Sequence, residues 1–275
     1  MSEINFQKID IHCHTTKRLL TNLVGADASI HRIEKEMTKN NIQYTVLLAT
    51  YFPRKKTGIS NYRMLHWIQS SSVASKFVMF GSLDFEHYFY QGLNELTELA
   101  EQSLIKGIKI YAGYQKIDLA QLQEILKICE QYNLPAMIHT GDCFNTGGQI
   151  ASVAELDHLV EKFSKVNFIY SHLGNPHIET VVERIKRYKN IYTDTSGLIN
   201  SAKEAHEIPM LIDCVKKIHQ ECGLNQLMFG TDFPVQTHEH SIHIAKNGLI
   251  SASHDEKMNF YYNNAAKLLK IIEKT

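Results

Sequence analysis

Apolar residues recur along this chain in two alternating rhythms. Eight short runs rich in β-branched, aliphatic and aromatic residues read as strands: Lys8–His14, Tyr44–Thr50, Phe77–Leu83, Gly107–Tyr111, Pro135–Thr140, Asn167–His172, Ile191–Asp194 and Leu227–Asp232. Between them the apolar positions fall at three- and four-residue steps. Leu119-x-x-Leu122-x-x-Ile125-Leu126-x-Ile128-Cys129 is one such stretch, with the spacing of a helix that lays one face on a sheet. Asp118 stands where its cap belongs. Strand starts lie 24 (Asn167 to Ile191) to 36 (Lys8 to Tyr44) residues apart, bracketing the ~30 residues of a βαβ unit. No Pro/Gly-rich linker or low-complexity tract interrupts the series. The expectation is an α/β fold, a (β/α)8 barrel built as a single domain over residues 1–275 and closed by a last helix around Asp255–Lys274. An open doubly wound sheet would show a Gly-rich phosphate-binding turn after its first strand, and none follows His14.

Composition narrows the partners. Lys and Arg number 29 and Asp and Glu 29, so no bulk positive charge draws this chain to nucleic acid or an anionic membrane. The longest uninterrupted apolar runs, Val46–Ala49 and Phe77–Phe80, have four residues, far short of the ~20 a membrane helix needs. The first residues lack the basic and apolar segments of a signal peptide. Five cysteines, at 13, 129, 143, 214 and 222, form no Cys-x-x-Cys pair, which argues against a disulfide framework or a structural zinc knuckle. A soluble, cytoplasmic protein is expected, with its oligomeric state open. Fifteen histidines are the compositional oddity, because imidazole serves both as metal ligand and as a proton carrier near neutral pH.

The strand pattern sorts those histidines. Barrel enzymes build their sites from residues at the C-terminal ends of strands. The first strand ends Ile9-Asp10-Ile11-His12-Cys13-His14. Side chains alternate, so Asp10, His12 and His14 face the lumen while Ile9, Ile11 and Cys13 face the helices. A two-residue step brings both imidazoles within reach of one ion. The fifth strand ends in His139, the sixth in His172 and the eighth in Asp232. Imidazoles with a carboxylate make an ordinary first shell for a divalent metal, and Asp10 is placed to orient a ligand histidine or to bond backbone amides. Nitrogen and oxygen ligands favour Zn2+, with Mn2+ and Fe2+ open to the same set.

Five segments, Ile9–His14, Gly107-Ile108-Lys109-Ile110-Tyr111, Met137-Ile138-His139-Thr140-Gly141, Tyr170-Ser171-His172-Leu173-Gly174-Asn175 and Phe229-Gly230-Thr231-Asp232-Phe233-Pro234, together resemble the amidohydrolase superfamily. The likeness is to its amidohydrolase-related branch, which also contains metal-dependent decarboxylases. The resemblance implies a metal held by His12, His14, His139 and Asp232, with His172 a proton-transfer residue and Asp232 sharing that task. It implies a hydrolase acting through a water activated by one divalent ion, or a non-oxidative decarboxylase using the same site. Lys109 fits two roles. Some superfamily members carboxylate a fourth-strand lysine to bridge two metals; the favoured reading is a plain ammonium that, with Tyr111 on the same face, meets a substrate carboxylate. The first- and fifth-strand motifs are also similar to those of TatD-like deoxyribonucleases. Those enzymes carry a metal-binding glutamate on a middle strand that this chain lacks, and the neutral charge offers a nuclease nothing.

Three loop features complete the reading. Arg54, in Tyr51-Phe52-Pro53-Arg54-Lys55-Lys56 after the second strand, is the best fork for a substrate carboxylate. His238-Glu239-His240-Ser241-Ile242-His243 is read as a surface or lid loop, since no register gathers its imidazoles. Gly147-Gly148 offers a hinge or a tight turn. A small, carboxylate-bearing molecule is the expected partner.

Overall fold

A computed structural model of the chain describes residues 5–16, 27–51, 58–140, 153–198 and 207–271. Its strands are β1 (Lys8–Cys13), β2 (Ile42–Leu48), β3 (Phe77–Gly81), β4 (Gly107–Ile110), β5 (Ala136–Ile138), β6 (Phe168–Tyr170), β7 (Ile191–Asp194) and β8 (Leu227–Met228). The helices are α1 (Ile30–Lys39), α2 (Asn61–Gln69), α3 (Phe89–Glu101), α4 (Leu119–Tyr132), α5 (Val153–Lys162), α6 (Ile178–Arg187), α7 (Ile208–Cys222), α8 (His238–Gly248), α9 (His254–Met258) and α10 (Asn264–Leu269). The strands follow one another in the sheet in sequence order from β1 to β8, and β1 with β2 and each neighbouring pair from β3 to β7 run parallel. The fold is the expected (β/α)8 barrel.

The chain forms two compact units. The first comprises Met1–Leu47, Ser70–Phe77 and Asp194–Thr275. In it β1 pairs with β2 in the register Ile9↔Tyr44 and Asp10↔Thr45. On its other side β1 meets the β8 segment, where Ile11 N donates to Phe229 O at 3.1 Å and Cys13 bridges Phe233. Ile9, Ile11 and Cys13 are fully buried, as the alternation requires. The last helix is shorter and less regular than its apolar pattern predicts. It starts at His254 under a capping box, where the Ser253 side chain accepts from Glu256 N and Glu256 from Ser253 N. A π-helical turn, Asn259–Asn263, then buries Phe260, Tyr261 and Tyr262 against Phe229, with Phe260 and Tyr261 ring centroids at 6.2 and 5.7 Å. Lys270, at φ 54°, ends α10, and the predicted helix beyond residue 271 lies outside the described residues.

The second unit comprises Leu48–Gln69 and Val78–Thr193. Its strands β3 to β7 run in register, Phe80↔Gly107, Lys109↔Met137, Ile138↔Tyr170 and Tyr170↔Thr193 among the pairs. Gly107 is a glycine for space: a Cβ there would lie 2.5 Å from the Phe80 ring. Asp118 caps α4 as predicted, accepting from Gln121 N at 2.7 Å. Helix α6 starts at Ile178, two residues past Pro176, so Asn175-Pro176 lies in the turn and is not the helix start its sequence suggests; its peptide bond is cis.

Most strands end one to four residues earlier than predicted, so the polar residues of their last positions lie just past the ladder. The His238–His243 tract is helix, not loop. Thr237 caps α8, accepting from His240 N, and His238 is buried at 1% exposure. Among the described residues Cys13, Cys129, Cys214 and Cys222 are in no disulfide; Cys143, Arg54, Gly147 and Gly148 lie outside the described residues. Among the described residues no helix is long and apolar enough to cross a membrane.

Candidate functional site

In the first unit three predicted residues meet. His14 Nε2 lies 3.0 Å and His12 Nε2 3.4 Å from Asp232 Oδ1, and one ligand atom from each of the three falls within 4.8 Å of the others. Local backbone sets this geometry. Gly230 is needed because a Cβ there would sit 3.1 Å from Ser196 Cβ and 3.3 Å from His12 Cβ. Asp232 takes the left-handed conformation, φ 58°, where aspartate is better tolerated than most residues. Its amide donates to His12 O at 2.7 Å and its carbonyl accepts from Val235 N at 2.8 Å.

Asp10 locks the same turn from below. Its Oδ1 accepts from Thr231 N at 3.0 Å and His12 N at 3.2 Å, and its Oδ2 from Thr231 Oγ1 at 2.7 Å. Complete burial pushes its pKa up to about 7, against hydrogen bonds that favour the anion. His238 Nε2 stands 3.7 Å from Asp10 Oδ2, beyond hydrogen-bond range.

The imidazole of His12 is held by two residues that sequence reasoning missed. Asp194 closes β7 and Ser196 follows it; both are completely buried. Asp194 Oδ2 lies 3.2 Å and Ser196 Oγ 2.9 Å from His12 Nδ1, while the Ser196 hydroxyl donates to Asp194 Oδ1. With a carboxylate as partner, Nδ1 carries the proton and donates. His12 Nε2 then presents its lone pair towards an oxygen of Asp232. Acceptor faces acceptor, an arrangement that a cation between them resolves. The donor chemistry therefore fits a divalent metal. The signal available in the sequence was the strand-end rule itself, applied to β7 as it was to β1, β5, β6 and β8.

The second unit gathers Lys109, Tyr111, His139 and His172. Lys109, 1% exposed, donates from Nζ to Ser171 Oγ at 2.8 Å and lies 5.4 Å from the Tyr111 ring centroid. Thr140 Oγ1 donates to Ser171 O, which fixes the backbone behind that serine. His172 Nε2 and His139 Nδ1 are 3.1 Å apart, so one proton lies between them. His172 and Leu173 both have positive φ, 63° and 53°. Two consecutive buried non-glycine residues in this region cost energy that the surroundings must repay, a pattern typical of functional sites. Tyr114, not anticipated from sequence, places its ring 5.0 Å from that of His139.

An amidohydrolase family model matches residues 9–271. The chain belongs to the amidohydrolase family. Membership implies a divalent metal and makes the chain an enzyme of hydrolase or carboxy-lyase type. Solved structures share the barrel along its length. A probable 2-pyrone-4,6-dicarboxylic acid hydrolase from Acinetobacter baumannii, with citric acid bound, is 18% identical at a TM-score of 0.68, covering 96% of this chain and 99% of its own. An amidohydrolase from Burkholderia multivorans with bound zinc is 12% identical at 0.70, covering 96% and 99%. A dihydroxybenzoic acid decarboxylase from Polaromonas, with manganese and the inhibitor 2-nitroresorcinol, is 15% identical at 0.64, covering 96% and 97%. No curated protein sequence matches.

Proposed function

We propose that this amidohydrolase hydrolyses a small carboxylate-bearing substrate with one divalent ion held by His12, His14 and Asp232, joined by His139. The observation that carries the reading is the convergence of two imidazole nitrogens on one carboxylate oxygen, at 3.4 and 3.0 Å, with the far side of His12 fixed by Asp194. Zinc suits this donor set best, and manganese or iron fits it too; relatives with zinc and with manganese bound support either. When bound, the ion supplies Lewis acidity and brings the pKa of water towards ~7.

The chain's own residues do the rest. His172 Nε2 accepts a proton when His139 Nδ1 holds the shared one and donates when it carries that proton itself, which makes His172 the proton-transfer residue. Asp232, within reach of both first-strand imidazoles, is a second proton acceptor. The Lys109 ammonium, oriented by Ser171, meets a substrate carboxylate, and Arg54 and Tyr111 are assigned to the same anion on their place after β2 and β4.

A second reading, non-oxidative decarboxylation at this site, draws support from the decarboxylase among the similar structures. A screen of lactones, amides and hydroxybenzoates with the metal-loaded protein separates the two, since hydrolysis of a lactone releases acid and decarboxylation releases CO2. Turnover is expected to vanish with chelator and return with metal. His172→Asn should keep its metal and lose at least ~100-fold in kcat, the usual range for a lost acid–base group; full turnover in that variant contradicts the assigned role.

A further inference from the structure

Three consecutive residues after β6 are left-handed: His172 (φ 63°), Leu173 (φ 53°) and Gly174 (φ 70°). Only the glycine adopts that conformation without strain. His172 and Leu173 are also buried, so the turn persists only where its surroundings over-determine it. Its exit side is held by its own backbone: Asn175 N donates to His172 O at 2.8 Å and His177 N to Gly174 O at 2.6 Å. Its entry side is held by side chains.

The β6 ladders end at Tyr170, paired with Ile138 of β5 on one side and Thr193 of β7 on the other. A hydroxyl from each neighbouring strand then takes one carbonyl. Thr193 Oγ1 donates to Tyr170 O at 2.5 Å, and Thr140 Oγ1, two residues past the end of β5, donates to Ser171 O. Each of these oxygens lies in a rigid peptide plane. Tyr170 O fixes the plane that leads into Ser171, and Ser171 O fixes the plane that leads into His172, from which its φ of 63° is measured. Between the two planes Lys109 Nζ donates to Ser171 Oγ at 2.8 Å. Ser171 is thus held at both flanking peptides and at its side chain. Thr140, Lys109, Ser171 and Thr193 are each 2% exposed or less, so bulk water does not compete for these bonds. At the end of this arrangement His172 Nε2 stands 3.1 Å from His139 Nδ1, with the two rings edge to face at 4.9 Å.

We propose that Thr140 and Thr193 are positioning residues for His172: their hydroxyls hold the two peptides that lead into the left-handed turn and so fix Nε2 of His172 on His139. The proposal rests on the reading of His172 as the proton-transfer residue and adds the groups through which the chain keeps that imidazole in line. Without the Thr140 hydroxyl, Ser171 O is a buried carbonyl that has lost its donor, and the peptide plane turns to find another. His172 begins at that plane and turns with it. A misplacement of about 1 Å in a reacting group lowers a rate by as much as about 100-fold, so the hydroxyl matters to turnover although it stands one residue back from the imidazole.

The test compares Thr140→Val, which keeps the shape and drops the hydroxyl, with Thr140→Ser, which keeps the hydroxyl, in the metal-loaded chain; Thr193→Val is the second variant. The first readout needs no substrate. It is the imidazole N–H proton shared by His139 and His172, seen by proton NMR of 15N-labelled protein and assigned by its disappearance in His172→Asn. Wild type and Thr140→Ser are expected to show this signal, and both valine variants to lose it through exchange with water. The second readout is turnover in the screen of lactones, amides and hydroxybenzoates. There Thr140→Val is expected to lower kcat by about 10- to 100-fold, with KM and metal content within about twofold of wild type, and Thr140→Ser to restore kcat. A signal retained in Thr140→Val, a wild type without it, or a lower melting temperature with signal and kcat intact overturns the positioning role. Loss of metal in Thr140→Val also overturns it, because the threonine would then act through the adjoining His139. Full turnover in His172→Asn sinks the proton-transfer reading, whereas an inactive His172→Asn beside a Thr140→Val with the wild-type signal sinks the positioning role alone.

Discussion

Asp194 is the residue on which the histidine geometry turns. Its carboxylate and the Ser196 hydroxyl, which it also positions, hold the proton on His12 Nδ1, and a side chain without that charge loosens the hold. The imidazole is then free to take the other tautomer and present a proton instead of a lone pair towards Asp232. Asp194→Asn is therefore expected to weaken divalent-metal affinity by about 10–100-fold, the usual cost of losing such a partner. Competition with a chromophoric chelator reads it directly; unchanged affinity contradicts the positioning role. His12, His14 and Asp232 were legible in the sequence because a two-residue step on one strand and a strand-ending Asp follow directly from alternation and barrel logic. Asp194 was not singled out, although it ends β7 and the strand-end rule that marks Asp232 marks it equally.

At the scale of elements, all eight strands were legible, whereas of their C-terminal ends only that of β7, at Asp194, was. The apolar runs continue past the ladders because residues such as Phe229 and Leu83 remain buried even where the backbone turns away. Close contacts between strand and neighbour are sharply limited by side-chain volume. At Gly107 a methyl group would meet three atoms of the Phe80 ring within 2.6 Å, and both residues lie in paired strands that cannot easily separate. Gly107→Ala is expected to destabilise the protein by about 1–3 kcal/mol, measurable as a shifted denaturant midpoint. The last helix was likewise read too long. Its periodicity runs on to residue 274, but the π-helical turn re-registers the chain and Lys270 ends it. Its start depends on Glu256, whose carboxylate is held down at about pKa 2, first by the Ser253 backbone hydrogen bond. Because the folded value is below the ordinary 4.5, this contribution is present above pH 4.5 and fades as pH falls towards 2. Stability of Glu256→Gln should accordingly fall less steeply than wild type over that acid window; parallel profiles contradict the capping role.

At the scale of the whole molecule, strand spacing and the five motifs were enough for the barrel and the amidohydrolase family, and the family model spans residues 9–271. What they could not supply is the substrate, which depends on the polar atoms the loops leave unmatched. The neutral balance of 29 basic and 29 acidic residues gives no long-range pull on an anion, so attraction must be local, from the bound ion and from a buried cation such as Lys109. The chemistry proposed for this site depends on that ion. The direct test is metal stoichiometry by elemental analysis after supplementation with zinc or manganese and removal of loosely bound metal, on wild type, His14→Ala and Asp232→Asn. One divalent ion per chain in wild type, with most of it lost in both variants, is the predicted result; less than about a tenth of an equivalent in wild type, or full retention in the variants, would contradict it.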